Sequence, residues 1–329
     1  MKSFATTSVV ISGSKIDLEP RTISLASPDD VVIDVAFAGL NPSDARHFDG
    51  SLPPPPAAPQ DIPGIEVAGV VRACGVAVSR WKPGDRVFGL VDGGGLSTVV
   101  VANQWCLAGV PASLSDTSAA AVPEAFITAH DAVVSQGGAR LGSRVLVRAA
   151  AGGVGSAAVQ IALHSGADVI GVTRSESTRQ YVKSLGVNAV LADDVREAVL
   201  TAFGGQGADL IIDMVGASSI QENVELLATC GRLIQVGVPS GSVAQFDLMD
   251  LMKKRGRLVG TVLRSRSIAE KGAAVLAFER GIVRHLTNQE FHIEVDSIFP
   301  ADRIGEAMRY MDSRGKTGKV LIDFQSVQR

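Results

Sequence analysis

Two textures of residue alternate along the chain from about residue 119 onward. "SRVLVRAA" reads as a strand and "GSAAVQIALHSG" as a helix. Strand "DVIGVTR" and helix "ESTRQYVKSLG" follow, then strand "NAVLA", helix "VREAVLTAFGG", strand "DLIIDMVG", helix "SIQENVELLATCG" and strand "RLIQVGV". Strands that are apolar throughout must be buried on both faces, so helices have to cover a parallel sheet from two sides. With right-handed crossovers, the pattern predicts an α/β fold whose centre is a doubly wound parallel sheet of Rossmann type.

The first 118 residues have a different texture. "VVIDVAFAGL", "GIEVAGVVRACG" and "WKPGDRVFGLV" are short β-branched runs bounded by turns, and "SLPPPPAAPQDIPG" is a proline-rich loop that cannot be helix interior or central strand. The stretch after about 265 holds one helix, "SIAEKGAAVLAFERGIV", and one strand, "GKVLIDF". The expected organisation is a mostly-β domain from 1–118 plus 265–329 and a nucleotide-binding domain from 119–264.

Between the first strand of the alternating half and its first helix lies "RAAAGGVGSAAVQIA", residues 148–162. Small residues at a strand-to-helix turn let a backbone approach a pyrophosphate, and the helix N-terminus offers amides and partial positive charge. Ala150 stands where such turns usually have their first glycine. Gly152, Gly153, Val154 and Gly155 complete the expected phosphate cradle. An NAD-binding protein normally places an acid at the end of the next strand, on the ribose hydroxyl. Here that strand ends Thr173-Arg174-Ser175, with Arg179 one helical turn further on. A guanidinium where a carboxylate would repel a 2′-phosphate predicts NADPH.

Charge and composition exclude other classes. The net charge of −3 comes without a basic stripe, which argues against a nucleic-acid partner. No run of eighteen uncharged apolar residues predicts a membrane span, and no targeting segment stands out at the start, so a cytoplasmic protein is expected. Cys74, Cys106 and Cys230 are far apart and form no CxxC pair, which fits neither a disulfide framework nor a zinc knuckle.

With these pieces placed, the chain resembles the medium-chain dehydrogenase/reductase superfamily, in particular its zinc-independent quinone oxidoreductase branch. The resemblance rests on "AGLNPSD" (38–44), "PGIEVAGVV" (63–71), "WKPGDRVFGL" (81–90), "GGLSTVVVAN" (94–103), "AAVPEAFITAHDAV", "AAAGGVGSAAVQIA", "GRLIQVGVPSG", "LVGTVLRSRS" and "KTGKVLI", in that order. It implies a GroES-like, partly open barrel as the catalytic domain, with the active site in a cleft beside the Rossmann domain. It places Asn41 and Thr128 near the nicotinamide ribose and carboxamide. Val215, Gly237, Val238 and Ser240, with Leu263, Arg264 and Ser265, are implied around the nicotinamide, and Lys319 against the cofactor.

Zinc-dependent relatives carry cysteine where Asn41 stands and histidine where Ile65 stands, so no metal is expected. Many relatives have a tyrosine shortly after the Asn-x-x-Asp motif. Here the stretch reads "DARHFDG", which leaves His47 as a candidate proton donor or as an exposed loop histidine. The resemblance implies an NADPH-dependent oxidoreductase that transfers hydride to a quinone or an electron-poor enone or alkenal. The alternatives are an enoyl-thioester reductase and a non-catalytic NADPH-binding structural protein. A homodimer is expected through the edge strand near "RGRLVGTVL" (255–263).

Overall fold

The computed structural model describes every residue except Met1, Ser14, Ala57, Gln289, Asp312, Arg314, Gln328 and Arg329. The chain divides into two compact units: Met1–Ile127 with Leu263–Arg314 and Lys319–Arg329, and Thr128–Val262 with Gly315–Gly318.

The first unit opens with an antiparallel hairpin, β1 (Ser3–Ser12) and β2 (Lys15–Ser24), which the sequence reading passed over. Its larger sheet is organised by β3 (Asp30–Leu40), an apolar strand buried along nearly its whole length. Helix α1 (Pro42–Phe48) and the proline-rich loop follow, then β4 (Glu66–Cys74), β5 (Arg86–Leu90), β6 (Val99–Asn103) and β7 (Leu107–Gly109). One edge of β3 pairs with β4, and Val99–Asn103 of β6 pair with the first half of the other edge. Irregular register at Val32/Ile33 and Val35/Phe37 interrupts the β3–β4 ladder, as bulges do where a sheet bends. Short helices α2 (Asp116–Ala120) and α3 (Pro123–His130) close this stretch.

The second unit is the predicted doubly wound sheet. Its strands are β8 (Arg144–Arg148), β9 (Asp168–Thr173), β10 (Asn188–Leu191), β11 (Ala208–Asp213), β12 (Leu227–Gln235) and β13 (Arg257–Gly260). They run parallel in the order β10-β9-β8-β11-β12-β13, so the strand order reverses next to β8. Helices α4 (Gly153–His164), α5 (Glu176–Ser184), α6 (Val195–Ala202), α7 (Ile220–Leu226) and α8 (Leu248–Lys254) are the connections. Leu146, Ile170, Ile211 and Leu233, from four neighbouring strands, share one core with Val195, Val199 and Leu226 of the helices.

One predicted helix is shorter than its sequence suggests. "SIQENVELLATCG" ends as helix at Leu226, because Leu227 already pairs with Ala208 of β11. Tertiary pairing overrides the helix propensity of Leu-Leu-Ala. Cys230, with φ 64, adopts a left-handed backbone within β12.

The chain then returns to the first unit with α9 (Ile268–Phe278), β14 (Val295–Pro300) and β15 (Lys319–Asp323). Strand β15 pairs antiparallel with the second half of β3, from Val320 opposite Leu40 to Asp323 opposite Phe37. It contributes Val320, Ile322 and the following Phe324 to the core around Ile33, Leu40 and Val67.

Candidate functional site

In the second unit, β8 runs into a turn that contains almost no side chain. Ala149 takes the left-handed conformation, φ 52, at a position where an L-residue is disfavoured by roughly 1 kcal/mol or more. Ala149 precedes Ala150, the residue that the sequence puts at the place of the missing glycine. Ala150 is fully buried, and its N–H donates to the Val172 carbonyl of β9 at 3.0 Å.

Gly152 is the N-cap of α4 and supplies no side-chain cap, so the leading amides of Gly153, Val154 and Gly155 meet no capping group. Gly155 packs so tightly that a Cβ there would overlap the Ala149 carbonyl oxygen. Gly318 donates its N–H to the Ala151 carbonyl at 3.1 Å and forms a lone parallel bridge with Gly152. The result is a glycine turn with uncapped amide donors at a helix N-terminus, which suits an anionic pyrophosphate.

At the end of β9, Thr173 is buried and Ser175 caps α5 by accepting the Thr178 N–H. Arg174 is exposed and has neither ion pair nor hydrogen bond among the described residues, whereas Arg179 pairs with Glu176 at 2.8 Å. No carboxylate stands at the strand end itself. Two further predicted stretches come together beyond β11 and β12. The Val215 carbonyl accepts from both the Ser240 N–H (2.9 Å) and its Oγ (2.8 Å). Gly216, with φ 99, leaves no room for a Cβ against Val238 and the Gly241 carbonyl. The Gly237 N–H points to the Asp213 carbonyl at 3.4 Å. Thr128 is buried in α3.

The first unit holds a buried polar cluster. The Lys319 Nζ lies 2.6 Å from Glu66 Oε1 and donates to Asn41 Oδ1 at 2.5 Å and to the Leu40 carbonyl at 3.2 Å. Asn41 Nδ2 donates to Glu66 Oε1 at 2.8 Å and to the Gly39 carbonyl at 3.3 Å. Both ends of the Asn41 amide are therefore fixed by charged partners. The other Glu66 oxygen accepts the Glu124 N–H at 2.8 Å, capping α3 with a carboxylate at its positive end. Gly39 makes room for this arrangement, since a Cβ there would overlap the Glu66 side chain.

Asp44 accepts the N–H groups of Asn41 (2.8 Å) and Gly64 (2.9 Å). Burial nevertheless pushes its pKa up to about 6, against the lowering effect of those two bonds and of Lys319. With Glu66 already paired to Lys319, Asp44 is the cluster's surplus negative charge. Lys319 is the cation Asp44 feels, and Asp44 in turn acts on Arg264. Burial lowers the Arg264 pKa, while Asp44 and Glu124 raise it. Its Nε and Nη1 are buried without a hydrogen-bond partner among the described residues. These donors are left for an ordered water or a ligand atom to satisfy. Leu263 beside it is buried and Ser265 exposed.

His47 does not sit on an exposed loop. It is buried in α1, and its Nε2 donates to the Gln60 carbonyl at 2.8 Å, tying that helix to the proline-rich loop.

The sequence reading passed over Glu66, Arg148, Asp213, Asn223 and Gly318. A signal existed for three of them, each a charged residue inside an apolar strand: "GIEVAGVV", "VLVRAA" and "LIIDMVG". A charge there survives only if it is paired or hydrogen-bonded.

Family models match both parts of the chain. One described as zinc-binding dehydrogenase covers residues 153–278, and one described as alcohol dehydrogenase GroES-like domain covers 27–112. The chain is 31% identical over 301 residues to quinone oxidoreductase of Rattus norvegicus, covering 89% of this chain and 88% of that one. It is 32% identical over 324 residues to the pikromycin polyketide synthase component PikAII of Streptomyces venezuelae. That match takes in 94% of this chain, which spans only 8% of the length of the synthase. Among solved structures, a quinone oxidoreductase of Pseudomonas syringae pv. Tomato DC3000 superposes with a TM-score of 0.83 at 26% identity, covering 98% of this chain and 100% of that one.

Proposed function

Because the chain belongs to the medium-chain dehydrogenase/reductase superfamily, we propose that it is a zinc-independent reductase that moves hydride from NADPH to a quinone or an electron-poor enone or alkenal. The observation that carries this reading is the uncapped glycine turn of the second unit, together with an Arg174 unpaired among the described residues and no acid at the end of β9. In this reading the amides of Gly153, Val154 and Gly155 hold the pyrophosphate. Arg174 recognises the 2′-phosphate, with Thr173, Ser175 and Arg179 around it.

When bound, the nicotinamide supplies the hydride. Hydride arriving at an enone or quinone leaves negative charge on the acceptor's carbonyl oxygen. In this reading Arg264 Nε and Nη1, which have no hydrogen-bond partner among the described residues, are the candidate donors to such an oxygen. Asn41 is clamped by Glu66 and Lys319, so Lys319 acts here by holding the Asn41 amide in place.

The positions where zinc-dependent relatives carry their ligands do not suit zinc. Asn41 has its amide engaged, Ile65 has no donor atom, and burial pushes the Cys106 thiol up to about 11, far from a thiolate. Three separated free thiols suit a reducing cytoplasm.

A homodimer through β13 fits as well. This strand is the edge of its sheet, Leu258 and Val262 are exposed, and α8 adds exposed Leu248, Met249 and Met252. Light scattering at micromolar concentration should show twice the chain mass.

An enoyl-thioester is the second candidate acceptor, favoured by the match to a segment of a polyketide synthase. Steady-state NADPH oxidation against panels of quinones, enones and enoyl-thioesters, on protein whose zinc content is measured, tests the reading. Turnover with a quinone or enone and no stoichiometric zinc is expected. Turnover confined to thioesters selects the second acceptor, and binding of NADPH without turnover on any panel removes the catalytic reading.

A further inference from the structure

Arg148 is the last residue of β8 and directly precedes the strained Ala149, yet its guanidinium is buried rather than turned toward solvent. Its Nε donates to Asn223 Oδ1 at 2.5 Å and its Nη2 to Glu222 Oε2 at 2.7 Å. Asn223, fully buried in α7, passes the chain on, with its Nδ2 donating to Asp213 Oδ2 at 2.6 Å. Asp213 is fully buried at the end of β11 and takes no cation directly. Its Oδ2 also accepts from Ser219 Oγ at 2.6 Å, and its Oδ1 accepts the N–H groups of Val215 (2.5 Å) and Gly216 (3.3 Å). The Asp213 carbonyl in turn accepts the Val236 N–H at 2.8 Å and Gln235 Nε2 at 3.2 Å.

We propose that Arg148, Asn223 and Asp213 form a one-directional hydrogen-bond relay that holds the loops at 213–216 and 236–241 in register with the glycine turn, which makes Arg148 and Asp213 positioning residues for the nicotinamide end of the cofactor. The inference rests on the cofactor reading above. It is carried by what the two ends of the relay are attached to. One end is the residue that enters the phosphate turn, and the other grips the backbone of the loop holding Val215. That loop is zipped to Gly237–Gly241 through Ser240 and the close approach at Gly216. Between the cation and the anion there is a single amide, so its orientation is dictated by both neighbours. Reversing it would oppose donor to donor at one end and acceptor to acceptor at the other.

The direction of the relay provides the test. Asp213→Asn keeps an acceptor for Val215 and Gly216 but turns a second N–H toward Asn223 Nδ2. If Asn223 flips to answer it, its Nδ2 then opposes Arg148 Nε. In Arg148→Gln, Oε1 stands as many bonds from Cα as Nε does in arginine, so it accepts what the flipped Asn223 donates. The double variant thus rebuilds the relay in the opposite direction.

NADPH and 2′,5′-ADP, which lacks the nicotinamide end, are titrated into the unmutated protein, Asp213→Asn and the double variant, with melting temperatures recorded in parallel. The expected result is a loss of NADPH affinity of about tenfold or more in Asp213→Asn and recovery to within about threefold in the double variant. Affinity for 2′,5′-ADP should stay within about twofold throughout. A double variant as weak as the single one overturns the relay, as does Asp213→Asn binding NADPH normally. Parallel loss of 2′,5′-ADP and NADPH affinity reduces the residues to a structural role and overturns the positioning claim. If Asp213→Asn does not fold, folding of the double variant is the rescue, and its failure to fold overturns the proposal. Failure of the unmutated protein to bind NADPH or NADH would instead sink the cofactor reading, and this inference with it.

Discussion

The turn at Ala149–Gly155 is built by leaving side chains out, whereas the cluster around Glu66 is built by bringing charged side chains in. In the first, the proposed role rests on uncapped backbone amides and on close packing, and the intolerable change is an added atom. In the second, every polar atom of Asn41, Asp44, Glu66 and Lys319 is matched against a neighbour, and the intolerable change is a missing partner. The two regions should therefore fail differently. Damage at the turn should appear in ligand binding with the fold intact, and damage at the cluster should appear first in stability.

The largest expected effect is at the cluster. Glu66→Leu strands the Lys319 ammonium in a buried site and should destabilise the protein by about 3–5 kcal/mol. Adding Lys319→Met removes the orphan charge and should restore much of that loss. Denaturant melts of the two variants decide the matter, and a double variant no more stable than the single one would count against a compensated buried pair.

At the turn, Gly153→Asp sets a carboxylate beside the phosphates. NADPH affinity should fall by about 2–4 kcal/mol while the apo melting temperature changes little. An undiminished NADPH-induced rise in melting temperature in this variant would mean that the glycines serve only the turn.

Cofactor discrimination comes next. NADPH should be preferred over NADH by at least about tenfold, roughly 1.4 kcal/mol, and Arg174→Ala should erase most of that preference with NADH use nearly unchanged. Equal affinity of the unmutated protein for both cofactors breaks the assignment of Arg174.

The smallest effect is a pH slope. Asp44 has a folded pKa of about 6, above its value of about 4 in an unfolded chain, so its protonation favours the folded state. Its stabilising contribution is fully present below pH ~4 and is lost as the pH rises through about 6. The melting temperature of the parent minus that of Asp44→Asn should fall as the pH rises from 4 to 7. A difference that stays constant or rises toward pH 7 would place the surplus charge elsewhere.

How much of this was legible in the sequence follows the same division. The second unit was readable because its strands are apolar on both faces and its glycine turn lies between adjacent elements, so local pattern and global fold agree. Even there the left-handed backbone of Ala149 was not legible, since no spacing rule reports φ. The cluster was half readable. Asn41 and Asp44 lie in one motif, but Glu66 and Lys319 come from distant strands and acquire meaning only when β3 pairs with both β4 and β15. His47 was misjudged as a loop residue because its partner, the Gln60 carbonyl, is a backbone atom that leaves no trace in composition.

The pairing of β15 with β3 also has a consequence in time. Lys319 and the Leu40 carbonyl it binds are 279 positions apart, while the sheet of the second unit is completed from one continuous stretch between them. As the chain leaves the ribosome, the second unit has all its strands well before residue 319 is made. Until then Glu66 has no cation to meet, and burying it would be strongly unfavourable. The first unit must therefore wait half-assembled, its β3 edge open, and close by a long-range step whose entropy grows with the logarithm of the loop it seals. Its vulnerable interval, when protease or aggregation can intervene, is set by the synthesis time of everything between β7 and β15.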